Sequence, residues 1–345
     1  MKINNHIIGV GHPVYVIAEI SANHHQEFSQ AKKIIQQAYK CGANAVKLQT
    51  YTPDTLTIDC RNELFMIRGT VWDGMNLYDL YKEAFTPWEW HYELKKVADD
   101  LGVDFFSTPF DASAVDFLES LNVPAYKIAS FELIDTTLLK KIASTGKPVI
   151  LSTGMASLAE IDEAILLLKE NGSSEIALLK CTSAYPATVE EMNLQTIVNL
   201  GNTFNLPVGL SDHSLGTTAP IVAVTLGATI IEKHLILDRS QGGPDSAFSM
   251  EPEEFLTMVL AIRQAKESIG EVSYQLTAQE KASRMFRRSL FVVRDIRQGE
   301  PFTDANIRSI RPGHGLAPKF YEVVLGKNAA KDIARGTPLD WSLIN

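Results

Sequence analysis

The sequence predicts an α/β protein, a (β/α)8 TIM barrel followed by a small C-terminal domain. Three observations predict it. Short apolar runs alternate with amphipathic helical patterns from residue 15 to about 268. They count out as eight strand–helix units in about 255 residues, the usual size of such a barrel. The Gly-rich turn expected after the first strand of an open, doubly wound sheet is replaced by Glu19-Ile20-Ser21-Ala22-Asn23. Each predicted strand also ends in polar or ionisable residues, as expected where a barrel gathers its functional groups at one mouth.

The strands are predicted over residues 15–20, 45–49, 104–108, 125–129, 149–152, 176–181, 208–211 and 229–234. Between them, Ala31, Ile34, Ile35 and Ala38 repeat at helical spacing. So do Ile161, Ala164, Ile165 and Leu168, and then Phe255, Met258, Val259 and Ile262. Thr86-Pro87 opens one helix, Ser157 caps another, and Gly42, Gly102 and Gly172 follow helix ends. An insertion at 51–86 separates the second strand from its helix. Its aromatic stretch from Trp72 to Tyr81 predicts a packed lid or substrate loop.

After the barrel domain (1–270), residues 271–283 are polar and read as a linker to a domain at 284–345. That last stretch repeats D-I-x-x-G-x-P at Asp295–Pro301 and again at Asp332–Pro338, each copy reading as a strand end, a turn and a restart. A domain of about 60 residues has a thin core, so it is expected to pack on its own barrel or a partner's.

The chain has 345 residues and a net charge of −9, with no Lys/Arg-rich block. That balance argues against nucleic acid and anionic membrane as partners. No window approaches 18 uncharged apolar residues, and the first residues lack the basic-then-apolar pattern of a secretory leader. Cys41, Cys60 and Cys181 are odd in number and form no CxxC, which suits a reducing cytoplasm.

The strand ends supply the candidate chemistry. His213 and His234 end consecutive strands and would be neighbours in a closed barrel. Two imidazoles suit Mn²⁺, Mg²⁺ or Zn²⁺; the alternative is a hydrogen-bonded structural pair. Lys47 and Lys127, with Ser130, Ser152, Ser183 and Ser211 around them, read as a cradle for phosphate and carboxylate. Either lysine could instead form a Schiff base, or simply pair with Glu19 or Glu232. Glu19, on the first strand, is the acid/base candidate. Asn23-His24-His25 either binds substrate or caps a helix, with at most one histidine facing the site. Asp245, in Gly242-Gly243-Pro244-Asp245, either orients a sugar hydroxyl or serves the turn, and Arg311 puts a cation on a rigid loop.

Eight ordered motifs then carry a resemblance. They are Glu19-Ile20-x-x-Asn23-His24, Val46-Lys47-Leu48-Gln49, Ser107-Thr108-Pro109-Phe110, Tyr126-Lys127-Ile128-Ala129-Ser130, Leu151-Ser152-Thr153-Gly154-Met155, Gly209-Leu210-Ser211-Asp212-His213, Ile231-Glu232-Lys233-His234 and Gly243-Pro244-Asp245. Together they resemble the sialic acid synthase (nonulosonate synthase) family. Arg311-Pro312-Gly313-x-Gly315 resembles its antifreeze-like (SAF) domain. Trp72-Asp73-Gly74, Thr86-Pro87-Trp88-Glu89-Trp90 and the segment from Gly243 to Ser249 resemble the branch that makes pseudaminic acid. The alternatives are the neuraminate and legionaminate branches, a Schiff-base aldolase using Lys127, or a non-catalytic sugar-binding barrel.

The resemblance implies condensation of phosphoenolpyruvate with a 6-deoxy, diacetamido aldose, with loss of phosphate. It implies a divalent ion, Mn²⁺ or Mg²⁺, on His213 and His234. Glu19, Lys47, Lys127 and Asp245 would be catalytic. Asn23, Gln49, Thr108, Ser130, Ser152, Ser183, Tyr185, Ser211 and Phe248 would bind substrate. It also implies a domain-swapped homodimer, in which Arg311 reaches the partner's barrel and binds an N-acetyl group.

Overall fold

Eight parallel strands close into a barrel in the computed structural model, which describes residues 1–345. They are β1 (Tyr15–Glu19), β2 (Ala45–Thr50), β3 (Asp104–Pro109), β4 (Tyr126–Ile128), β5 (Val149–Ser152), β6 (Ile176–Cys181), β7 (Val208–Asp212) and β8 (Ile230–His234). Neighbours in sequence are neighbours in the barrel, and β8 closes on β1. Each predicted strand is present, with ends moved by at most a residue. Every residue of β1, β3, β5, β7 and β8 is buried, because helices cover the outer face of a parallel barrel and side chains fill its inside.

The helices alternate with the strands as α1 (Phe28–Lys40), α2 (His91–Leu101), α3 (Ala112–Ser120), α4 (Thr136–Ala143), α5 (Leu158–Glu170), α6 (Gln195–Phe204), α7 (Thr218–Thr225) and α8 (Pro252–Ile269). The predicted stripes of α1, α5 and α8 are the buried residues of those helices. Ser157 caps α5 through a reciprocal box with Glu160. One start differs from expectation. Thr86-Pro87 leads into a 3₁₀ turn, Trp88–Trp90, and α2 begins only at His91. The His91 ring reaches back to the Thr50 hydroxyl at 2.8 Å, which ties this start to the barrel wall.

The 51–86 insertion is packed, as its apolar content predicts. It holds short helices at Pro53–Leu56 and Leu77–Ala84. Between them a tight arm doubles back, with Met66 bridged to Asn76 and the Ile67 N–H donating to Met75. At the opposite end of the barrel a hairpin of Lys2–Ile3 and His6–Ile7 covers the strand starts. There Asp104 accepts from Tyr15 Oη at 2.7 Å and Asn4 Nδ2 at 2.7 Å, and meets His6 Nδ1 at 2.9 Å.

The chain divides into two compact units, Met1–Gly270 and Glu271–Asn345. In the second, β9 (Ser289–Val292) pairs antiparallel with β10 (Ile307–Ile310), over a core that includes Leu290, Phe302, Ile307 and Leu339. The repeated D-I-x-x-G-x-P segments face each other. Ile296 bridges Ile333, Asp332 accepts from the Gln298 N–H, and Asp295 accepts from the Arg335 N–H, both at 2.7 Å. These contacts are single bridges rather than the strand ends expected. The polar stretch read as a linker is partly ordered: Ala278–Ser283 is a helix, because Thr277 and Glu280 form a capping box.

Candidate active site

The strand ends open into a cavity of about 470 Å³, within the usual range for small-molecule sites. Its floor is charged. Period-2 alternation turns Lys47 (β2), Lys127 (β4), Ser211 (β7), Glu232 and His234 (β8) to the inside, and all are buried. The Glu232 carboxylate lies 3.8 Å from Lys47 Nζ and 3.5 Å from Lys127 Nζ, and accepts from Ser211 Oγ at 2.8 Å. Burial pushes the Glu232 carboxyl up, but the two lysines and the Ser211 hydroxyl more than offset it and hold it low. Lys127 donates to Ser152 Oγ at 2.7 Å, and burial pulls its pKa below the ordinary lysine value. Lys47 stays charged: burial opposes it, and Glu19 with Glu232 overcomes that.

Glu19 pairs with Lys47, and its other oxygen accepts from the Ser21 N–H at 2.9 Å. Both oxygens are therefore committed. It is not among the residues lining the cavity, and burial, only partly offset by Lys47, lifts its carboxyl to about 7, so the acid/base role expected from its strand position stays a proposal beside that of holding Lys47.

The two histidines sit together at the rim, with ring centroids 5.4 Å apart. His213 Nδ1 faces the Thr182 carbonyl at 3.2 Å, which places its proton on that nitrogen and leaves Nε2 as a donor atom for a ligand. His234 Nδ1 is buried without a hydrogen-bond partner. Burial, then the nearby His213 and Lys47, hold the His234 pKa well below its ordinary value. Burial also works against the His213 charge, but its contacts with Cys181 raise it on balance. Two imidazoles with a vacant lone pair and an orphaned buried nitrogen fit a divalent cation that completes its shell with substrate or water oxygens. No group of three His, Cys, Asp or Glu side chains is gathered as a ready-made metal cage.

The remaining candidates divide by position. Gln49, Ser130, Ser152, Tyr185, Ser211, Asp245 and Phe248 line the cavity. Asp245 is buried and accepts from Ser21 Oγ and the Ala22 N–H, so it is more than a turn residue, and burial raises its pKa. Three substrate-binding candidates are not among the lining residues, and their polar atoms make contacts within the protein. Asn23 Nδ2 donates to the Leu235 carbonyl and Ser249 Oγ. Thr108 Oγ1 accepts from Lys47 at 3.2 Å, and Ser183 Oγ lies 2.9 Å from Ser130 Oγ. Close approach there depends on Gly154, where φ is +44° and a Cβ would stand 2.2 Å from that of Ser130. His24 is buried against Thr86 and its pKa falls to about 4, chiefly through burial; neither it nor His25 lines the cavity. Arg311 lies in the second unit, exposed just beyond β10.

The structure adds residues that the strand-end pattern does not single out. Glu132, two residues beyond Ser130, lines the cavity with Oε2 buried and unpaired, and burial raises its pKa to about 7. Ser21 and an apolar wall from the insertion, including Tyr51, Trp72 and Tyr81, join it, as does Cys181 at the end of β6. Cys181 and Glu232 stand at strand ends that the sequence offered; Glu132 and the wall lie in loops, where no periodicity marks them.

A barrel mouth with a cationic, hydroxyl-lined floor, two histidines at the rim and an aromatic wall defines a site for a small polyanion beside a larger, half-apolar ligand. The chain belongs to the NeuB family, whose pattern matches residues 34–274; a SAF domain follows at 287–345. Pseudaminic acid synthase of Helicobacter pylori is 48% identical over 95% of this chain and 96% of its own length. N,N'-diacetyllegionaminic acid synthase of Legionella pneumophila is 36% identical over 96% of this chain and 94% of its own. A crystal structure of N-acetylneuraminic acid (sialic acid) synthetase from Leptospira borgpetersenii, in complex with citrate, has a TM-score of 0.73. It is 33% identical and covers 82% of this chain and 94% of that one.

Proposed function

We propose that this chain is a pseudaminic acid synthase. It joins phosphoenolpyruvate to 2,4-diacetamido-2,4,6-trideoxy-L-altrose, consumes water and releases phosphate. The observation that carries the reading is the pair of buried lysines, Lys47 and Lys127, set among hydroxyls beneath an aromatic wall. Two buried ammonium groups suit an anionic ligand, because Glu232 stands between both and Glu19, lifted by burial to about 7, offsets Lys47 only in part near neutral pH. The pseudaminic acid synthases among the relatives supply the particular acceptor.

Lys47, Lys127, Ser130, Ser152 and Ser211 hold the phosphate and carboxylate of phosphoenolpyruvate. His213 and His234 would hold Mn²⁺ or Mg²⁺, which supplies Lewis-acid polarisation of the acceptor aldehyde. The enol carbon C3 bonds to the aldehyde carbon, and the carbonyl oxygen takes up a proton to become a hydroxyl. Water adds at C2 and gives up its proton. The C2–O bond to phosphate then breaks, leaving the 2-keto acid. Glu19 keeps Lys47 in place, Asp245 orients the sugar, and Phe248 packs against its apolar part. Glu132 keeps its proton up to pH about 7, so it offers the cradle a hydrogen bond instead of another negative charge.

That last point predicts a pH effect. Burial lifts Glu132 from 4.5 to about 7, so the folded protein holds this proton through that window and loses it above it. The KM for phosphoenolpyruvate should therefore climb as pH rises past about 7. In Glu132→Gln that climb should be smaller than in the wild type, whereas an identical climb would remove Glu132 from the cradle.

The assembly is proposed as a homodimer in which the second unit of one chain covers the barrel mouth of the other and Arg311 binds an N-acetyl group. Exposed apolar side chains at the strand ends support a covered mouth: Phe131, Ile134, Met155, Leu158, Val189 and Leu215. Three free cysteines are consistent with a cytoplasmic protein, and no helix is long and apolar enough to cross a membrane. Phosphoenolpyruvate labelled with ¹⁸O at the bridging oxygen tests the chemistry. The label should leave in the phosphate; its retention in the sugar product would mean P–O cleavage and overturn the proposal.

A further inference from the structure

The insertion between β2 and α2 does more than wall the cavity. Its arm spans the barrel mouth: β2 and β6 lie on opposite sides of the eight-strand ring, and Trp72 of the β2–α2 arm reaches the loop after β6. There its ring meets Tyr185 at 5.5 Å between centroids. The ladder continues inward, Tyr185 to Phe248 at 5.1 Å and Phe248 to His234 at 4.9 Å. The arm is also fastened to the loop after β8, because Trp72 Nε1 donates to the Pro244 carbonyl at 2.9 Å. Its shape is held internally by the Gly74 N–H on Ile67 O and the Gly69 N–H on the Asp73 carboxylate.

We propose that Trp72 is a specificity-determining residue, which selects an acceptor carrying a methyl group where other sugars carry a hydroxymethyl. This deepens the proposed function and rests on it. Trp72 has a single polar atom, and the Pro244 carbonyl already takes it. The face it shares with Ile67, Leu77 and Leu80 on the cavity wall is apolar, and the hydroxyls of that wall belong to neighbours such as Thr70, which accepts from the Trp72 backbone N–H, and Tyr81 and Tyr185. A methyl group gains by packing there. A hydroxyl buried against it loses water without replacement, at a cost large enough to discriminate between the two sugars. The Pro244 bond keeps the ring across the mouth, so the selectivity depends on the N–H as well as on the ring.

The test compares wild type, Trp72→Phe and Trp72→Ala with the 6-deoxy acceptor and its 6-hydroxy counterpart, reading KM and kcat/KM by phosphate release. Wild type should prefer the deoxy sugar. Trp72→Ala should lower that preference about tenfold and raise the acceptor KM, leaving the KM for phosphoenolpyruvate within about twofold. Trp72→Phe, which keeps a ring but loses the fastening, should fall between the two. Unchanged preference in an active Trp72→Ala, or an equal rise in both KM values, would overturn the assignment of Trp72 alone. Silence of the wild type with every acceptor would overturn the proposed function and this inference with it.

Discussion

Lys127→Met should lower kcat/KM for phosphoenolpyruvate by about 30- to 4,000-fold, the equivalent of about 2–5 kcal/mol for truncating one partner of a buried, hydrogen-bonded charge pair. Lys127 is buried, bonded to Ser152 and 3.5 Å from Glu232. Without it, Glu232 faces only Lys47, at 3.8 Å, and the floor loses one of its two cations. An incoming trianion then has one ammonium partner instead of two. The acceptor KM should move much less, because the sugar is assigned to the aromatic wall and not to the lysine floor. A loss below threefold, or one falling equally on both substrates, would contradict the assignment. An aldolase using Lys127 covalently would lose activity too, so borohydride is the control. It should trap no adduct on the wild-type lysine in the presence of substrate.

Replacing His213 and His234 together by Ala should remove turnover, by about 10³-fold or more, while the barrel stays folded. Folding should survive because the pair contributes little to it. His234 Nδ1 has no hydrogen-bond partner, and His213 gives up one bond to the Thr182 carbonyl, worth about 1 kcal/mol. Calorimetric titration with Mn²⁺ gives a reading independent of activity: wild type should bind and the double variant should not. Equal Mn²⁺ binding by both would place the cation elsewhere. Retained turnover would show the two histidines to be structural.

The barrel was legible because its signal is local and repeated. Each strand is a short apolar run, each helix has its stripe, and caps such as Ser157 mark the joins. Much of the site was legible for the same reason, since period-2 alternation and strand ends are properties of sequence position. Lys47, Lys127, Ser211, Glu232, His213 and His234 all converge as their positions predict. What was not legible is which polar atoms are already taken. Asn23, Thr108 and Ser183 stand at or just past strand ends, but their polar atoms meet Leu235, Lys47 and Ser130, contacts between residues far apart in sequence that only the closed barrel creates. Glu132 was missed for the opposite reason. A loop carboxylate looks solvated in sequence, and only the fold turns one of its oxygens into a buried, unpaired atom. In the second unit, the paired Asp295 and Asp332 show that the sequence repeat is a structural one, with each copy bonding the backbone of the other.

The central claim is the acceptor, and phosphate release tests it most directly. Phosphoenolpyruvate and Mn²⁺ are supplied with 2,4-diacetamido-2,4,6-trideoxy-L-altrose, with N-acetylmannosamine, or with the diacetamido trideoxy mannose that leads to legionaminate. Release should be fast with the altrose and at least tenfold slower with the other two. Faster release with either mannose-configured sugar would contradict the pseudaminic assignment.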